Sequence, residues 1–243
     1  MKHFQYRALC LVLALLPIPA LAQAKPPTGN LKAVLDQLDV ASLRFHGATA
    51  NVSTEFYEAV VKDTTVQTGI TYFERTKGGT EMGAVFYAPK TSPTDKPKAD
   101  KIIQYKDGAL RLFDLSVDQI RVMNAGANQA QYESFLTLGF GGSGKDLARS
   151  WDITDLGSET ITDDGQPVKV EKLDLVGKEQ SVRNLFTHIT IWVDPQRDVT
   201  LRQIFDTPSH DRRTVNNSHI KLTEKIDKAP FAIKPGKSTT VVH

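Results

Sequence analysis

Cysteine is almost absent from this chain: of 243 residues only Cys10 carries a thiol. Without a second cysteine there is no internal disulfide framework, and no thiolate cluster to hold zinc or iron. Net charge is also nearly absent, with 30 Lys and Arg against 28 Asp and Glu. A chain so balanced lacks the basic stripe that nucleic acid requires. Long apolar runs are missing too, and no stretch beyond the first two dozen residues could span a bilayer core of about 30 Å.

What is present begins with MKHFQYRALCLVLALLPIPALAQA, which reads as a secretory signal peptide. Lys2 and Arg7 charge its start, Ala8 to Leu16 form a short apolar core, and Ala20-Leu21-Ala22 supplies the small residues of a cleavage site. Cleavage is expected after Ala22, which places the mature chain in the periplasm. Cys10 precedes most of the apolar core instead of ending it, so it does not mark a lipoprotein anchor. Removing residues 1–22 leaves 28 basic against 28 acidic side chains. The expected organisation is a signal peptide over 1–22, a tether over 23–30 and a single domain over 31–243.

The domain opens with LKAVLDQLD, where Leu31, Val34, Leu35 and Leu38 recur at helical spacing. The period then changes to two. ATANVSTEFYEAVV, VQTGITYFERT, TEMGAVFYAP, DKIIQYKDG, ALRLFDL and DQIRVMNA alternate in strand fashion between turn residues. Helical spacing returns in NQAQYESFLTLGFGGSGKDLARSW, and strands resume with WDITDLGSETI, QPVKVEKLDLVG, HITIWVDP, DVTLRQIFD and NNSHIKLTEKI. EQSVRNLF fits a short helix. About eleven strands without alternating helices predict a mainly β, antiparallel α+β fold.

The segment GFGGSGKDL, residues 139–147, satisfies GxGxxG and falls one residue short of a P-loop. Those motifs need a strand before the glycines, a helix after them and a parallel sheet. Here a helical stretch precedes the glycines, and Asp146 puts negative charge where the P-loop hydroxyl belongs, so nucleotide binding is not expected. The mature histidines, His46, His188, His210, His219 and His243, are scattered without metal spacing. Ser143 lies outside GxSxG because Lys145 stands in the last place. The sequence predicts no catalytic apparatus, no cofactor and no metal.

Several strands carry one apolar face: Ile189, Ile191 and Val193; Leu110 and Leu112; Val85 and Tyr87. Such faces either pack against one another in a closed core or line a concave cleft for an apolar ligand, and periodicity leaves both open.

The order of segments resembles the LolA-like family of periplasmic carriers of outer-membrane lipoproteins. The similarity runs from the leading helix LKAVLDQLD through GITYFER and IIQYKDGALRLFDLSVDQIRVM to ITIWVDPQRDVTLRQIFD and the closing KIDKAPFAIKPGKSTTVV. The resemblance implies an unclosed antiparallel half-barrel with a helical lid, whose apolar interior shelters acyl chains. It implies a monomer that works with an inner-membrane ABC-type release complex and an outer-membrane acceptor. An alternative of the same fold is a lipid-binding or envelope-stress-sensing module that transports nothing. The family's lid-contacting arginine falls on Arg75, beside Phe73. The family's proline and aromatic-rich turn is replaced by Thr76-Lys77-Gly78-Gly79. In this picture Phe135, Leu136, Leu138 and Phe140 face the cleft from the lid, and the glycines that follow let its two short helices change their angle.

Overall fold

A computed structural model of the chain describes residues 30–92, 94–124, 126 and 138–243. The expected signal peptide, the tether up to residue 29, and Phe135 and Leu136 lie outside the described residues.

Helix α1 (Leu31–Ser42) starts where Asn30 caps it, its side chain accepting from the Ala33 amide at 3.2 Å. Val34, Leu38 and Ala41, at i, i+4 and i+7, are its buried stripe. Two more α-helices among the described residues are short, α2 (Gly144–Ser150) and α3 (Gln180–Arg183).

Twelve strands follow among the described residues: β1 (Gly47–Glu58), β2 (Asp63–Thr76), β3 (Gly79–Tyr87), β4 (Ala99–Lys106), β5 (Ala109–Asp114), β6 (Gln119–Asn124), β7 (Trp151–Asp163), β8 (Gln166–Gly177), β9 (His188–Asp194), β10 (Val199–Asp206), β11 (Arg212–Leu222) and β12 (Thr240–Val242). They make one sheet in the order β12-β6-β5-β4-β3-β2-β1-β11-β10-β9-β8-β7. The edges β12 and β7 do not pair, so the sheet is an unclosed half-barrel. Two hairpins turn at Asp107-Gly108 and Asp164-Gly165, where both residues of each pair have positive φ, the requirement of a type I′ turn.

Two features depart from the sequence pattern. Strand β11 begins at Arg212, four residues before the expected NNSHIKL segment, because Arg212 to Thr214 pair with both β10 and β1. The twelfth strand was not expected at all. It is three residues long and pairs in parallel with β6, through Thr240 to Val242 against Gln119 to Arg121. So short a segment has no periodicity to detect.

The sheet is strongly curved. A bulge in β7 between Asp155 and Ser158 lets the β7–β8 hairpin curl until the His219 amide of β11 donates to Asp163 at 2.9 Å. The hairpin thereby gathers Ile161, Val168 and Val170 into a cluster with Trp192, Leu201 and Ile220. At the other half the C-terminal segment crosses the outer face of β2 to β6. There Phe231 meets Tyr72 edge-on at 4.7 Å, among Val85, Ile102 and Phe113. Lys228 fixes this segment by donating to Glu74, and to Glu81 at 2.6 Å. Burial alone would lower the Lys228 pKa, but the two carboxylates outweigh it and raise it above the ordinary lysine value.

Candidate functional site

The inner face of the sheet holds a cavity of about 750 Å³, running across β1 to β6, β10 and β11. The strand register explains its floor. Val52 of β1 lies level with Gly69 and Phe86, and Ala84 of β3 lies level with Ile103 and Leu112. One end is walled by Phe73, Met82 and Phe140, and the other carries polar groups, among them Glu58, Lys101, Asp114 and Arg213. The size falls within the roughly 300–1,000 Å³ of sites that enclose small ligands.

The sequence-expected residues divide into three groups. Phe73, Leu112 and Phe140 line the cavity, and the rings of Phe73 and Phe140 stack at 4.2 Å. Leu110 shares the inner face with Leu112, one row nearer the Asp107-Gly108 turn, and is not among the lining residues. Ile189, Ile191 and Val193 also point inward, but they are completely covered: Val34 and Leu38 of α1 and Leu138 pack into the same cluster. Val85 and Tyr87 require correction. They lie on the outer face with Tyr72 and Phe231, and their alternates Met82, Ala84 and Phe86 line the cavity instead. Both parities of β3 are apolar because the C-terminal segment covers one face and the cavity occupies the other, so alternation could not choose between them.

Arg75 joins three elements. Its guanidinium donates to the Ser42 carbonyl at the end of α1, at 2.5 Å, and to the Gly141 carbonyl in the glycine segment. It thus satisfies a helix-end acceptor and pins the loop beside Phe140. Beside these contacts lies Asp198, fully buried, with both carboxylate oxygens unpaired among the described residues. Burial pushes its pKa up to about 7, against the opposing charge of Arg75.

The glycines fit this corner by close approach. A Cβ on Gly139 would fall 1.3 Å from Thr200 Oγ1, one on Gly141 2.4 Å from Phe45 Cδ1, and one on Gly144 2.2 Å from the Leu35 carbonyl oxygen. Gly139 and Gly141 also have φ of 82° and 73°. Phe140 bridges to Val199, and Ser143 caps α2 through the Asp146 amide. The segment that matched nucleotide motifs therefore threads between α1 and β10, and Gly144 lies against α1 where a phosphate would need room.

Sequence reasoning missed Phe56, Phe86, Ile103, Arg213 and Val215 as lining residues. Cross-strand register was the missing information, since a single lining residue on each strand fixes the parity of its neighbours. His188 is exposed and pairs with Asp174 at 2.9 Å.

No family model matches this chain, and no curated protein matches it. Among solved structures it is similar to an uncharacterized conserved protein from Thermus thermophilus, at 13% identity over 88% of this chain and 99% of that one, with TM-score 0.49. It is similar to a LolA superfamily protein from Nitrosomonas europaea, at 13% identity over 84% and 97%, with TM-score 0.39. A putative outer membrane lipoprotein-sorting protein domain from Vibrio parahaemolyticus aligns at 12% identity over 83% and 97%, with TM-score 0.42. The fold is an unclosed, almost wholly antiparallel half-barrel. Its unclosed sheet, leading helix and inner cavity are the architecture that the order of sequence segments implies.

Proposed function

We propose that this protein is a periplasmic carrier that takes lipoprotein acyl chains into the inner-face cavity and ferries them from the inner toward the outer membrane. The observation that carries this reading is the cavity itself: about 750 Å³ on an unclosed sheet, walled by Val52, Phe73, Phe86, Ile103 and Leu112. Acyl chains cannot cross an aqueous compartment uncovered, since each buried methylene is worth roughly 0.8 kcal/mol. Reversible burial needs no covalent chemistry. The order of sequence segments supports the same reading, and it names as partners an inner-membrane release complex and an outer-membrane acceptor.

Arg75 would act as the tie between α1 and the glycine segment, holding Phe140 over one end of the cavity. The test uses the neutral fluorophore N-phenyl-1-naphthylamine and inner membranes loaded with a labelled lipoprotein. The expected result is saturable binding of the fluorophore, its displacement on lipoprotein uptake, and transfer of the lipoprotein to outer membranes. Retention of bound lipid without transfer would point to a holding or sensing module of the same fold. Failure to bind the fluorophore would sink the lipid-binding reading.

A further inference from the structure

The polar end of the cavity does not suit a purely apolar cargo, and Arg213 is the residue there that stands between aromatic rings. Arg213 projects from β11 into the cavity between two aromatic rows, level with Phe205 on one side and Phe56 on the other. Its guanidinium sits 5.5 Å from the centre of the Phe56 ring. Its side chain has no hydrogen bond or ion pair among the described residues, unlike Arg212 beside it and Arg197 at the far end of β10. Arg212 donates to Asp206 at 2.7 Å, and Arg197 pairs with both Asp163 and Asp194. The Arg213 side chain is exposed at the polar end of the cavity, and the surrounding protein lowers its pKa from the ordinary arginine value.

An arginine that lines such a cavity without an ion-pair partner can take its counter-charge from a ligand. The ring of Phe56 offers only a weak one. Guanidinium groups match carboxylate and phosphate oxygens through paired N–H donors, so an oxyanion is the natural complement. The neighbours of Arg213 on both sides are aromatic, which suits a head group continuing directly into a chain.

We infer that Arg213 is a head-group site, receiving the carboxylate or phosphate of an anionic amphiphile whose acyl chain lies along Phe56, Val52 and Phe86. This rests on the lipid-binding reading and adds the ligand's class: a single-anion lipid, not only a neutral acyl chain.

The experiment measures displacement of N-phenyl-1-naphthylamine by dodecanoate, dodecyl phosphate and methyl dodecanoate, in the full mature chain and in its R213Q and R213M variants. The neutral fluorophore reports whether the cavity binds at all. In the wild type the two anions are expected to bind about ten- to a hundredfold more tightly than the ester, the usual worth of a charged hydrogen bond. Comparison of the carboxylate with the phosphate shows which head group is preferred. In both variants that advantage should vanish, while fluorophore and ester affinities stay within about twofold. Removing an unpaired charge should also leave R213M at least as thermally stable as the wild type. Equal binding of anion and ester by the wild type would overturn the proposal, as would an anion preference that survives in R213M or disappears only on Arg121→Gln. If the wild type does not bind the fluorophore, the lipid-binding reading fails first and this site falls with it.

Discussion

The inner face of this sheet has two halves, one wholly apolar and one part apolar and part polar, and they meet different fates. Over β8 to β10, Leu173, Leu175, Ile189, Ile191 and Val193 point inward and are wholly buried, because α1 lies across them. Over β1 to β6, apolar residues such as Val52, Phe86, Ile103 and Leu112 point the same way and line open space. The difference lies in what covers each half. A helix stripe of Val34, Leu38 and Ala41 completes one half as core and leaves the other as a container.

The strongest test of that division is the pair Ile191→Ala and Ile103→Ala. Ile191→Ala should cost about 2–5 kcal/mol in urea unfolding, since it leaves a void under α1. Ile103→Ala should cost much less and should weaken fluorophore binding; equal costs would erase the distinction between core and container.

Asp198 lies on the boundary between the halves. Its pKa is raised from 3.8 to about 7, so the native state binds a proton that the unfolded state has lost between those values. Stability must therefore fall as pH rises through that window, and level off above about pH 7. Asp198→Asn removes this slope. The variant's stability relative to wild type should rise by up to about 3 kcal/mol between pH 5 and pH 8 in paired denaturant titrations. A constant difference would mean that the carboxylate is not buried and unpaired.

A smaller effect, about 1–3 kcal/mol, is expected for Gly141→Ala, which combines a φ of 73° with a Cβ only 2.4 Å from Phe45. Gly165→Ala, at φ 75° with open space around it, isolates the backbone contribution. If the two variants unfold at the same urea concentration, the close approach to Phe45 counts for nothing. The smallest change in stability should come from Leu112→Trp. It fills the open half, so it should lower the amount of fluorophore bound while changing stability by less than about 1.5 kcal/mol.

Much of this architecture was legible in the chain. The helix from Leu31, the Asp-Gly hairpins and the strand sequence follow from period and turn chemistry, and the segment order led to the half-barrel. The site was legible only in part. In Met82-Gly83-Ala84-Val85-Phe86-Tyr87 every residue but the glycine is apolar or aromatic, because the C-terminal segment covers the outer face while the cavity occupies the inner one. Alternation carries information only where one face meets water. The glycine segment misled for a related reason: spacing that suits a phosphate also suits a backbone squeezed between Phe45, Leu35 and Thr200. Only the neighbours distinguish the two, and they come from distant parts of the chain.

The three-residue strand β12 has a further consequence. By pairing with Gln119 to Arg121 it occupies part of one edge of the sheet, held there by Ser238 and Thr239 against Asp118. On that side an incoming strand meets a three-residue edge first, whereas at the opposite edge no strand pairs with the outer side of the thirteen-residue β7 among the described residues. So short an edge offers little backbone for a further strand to pair with.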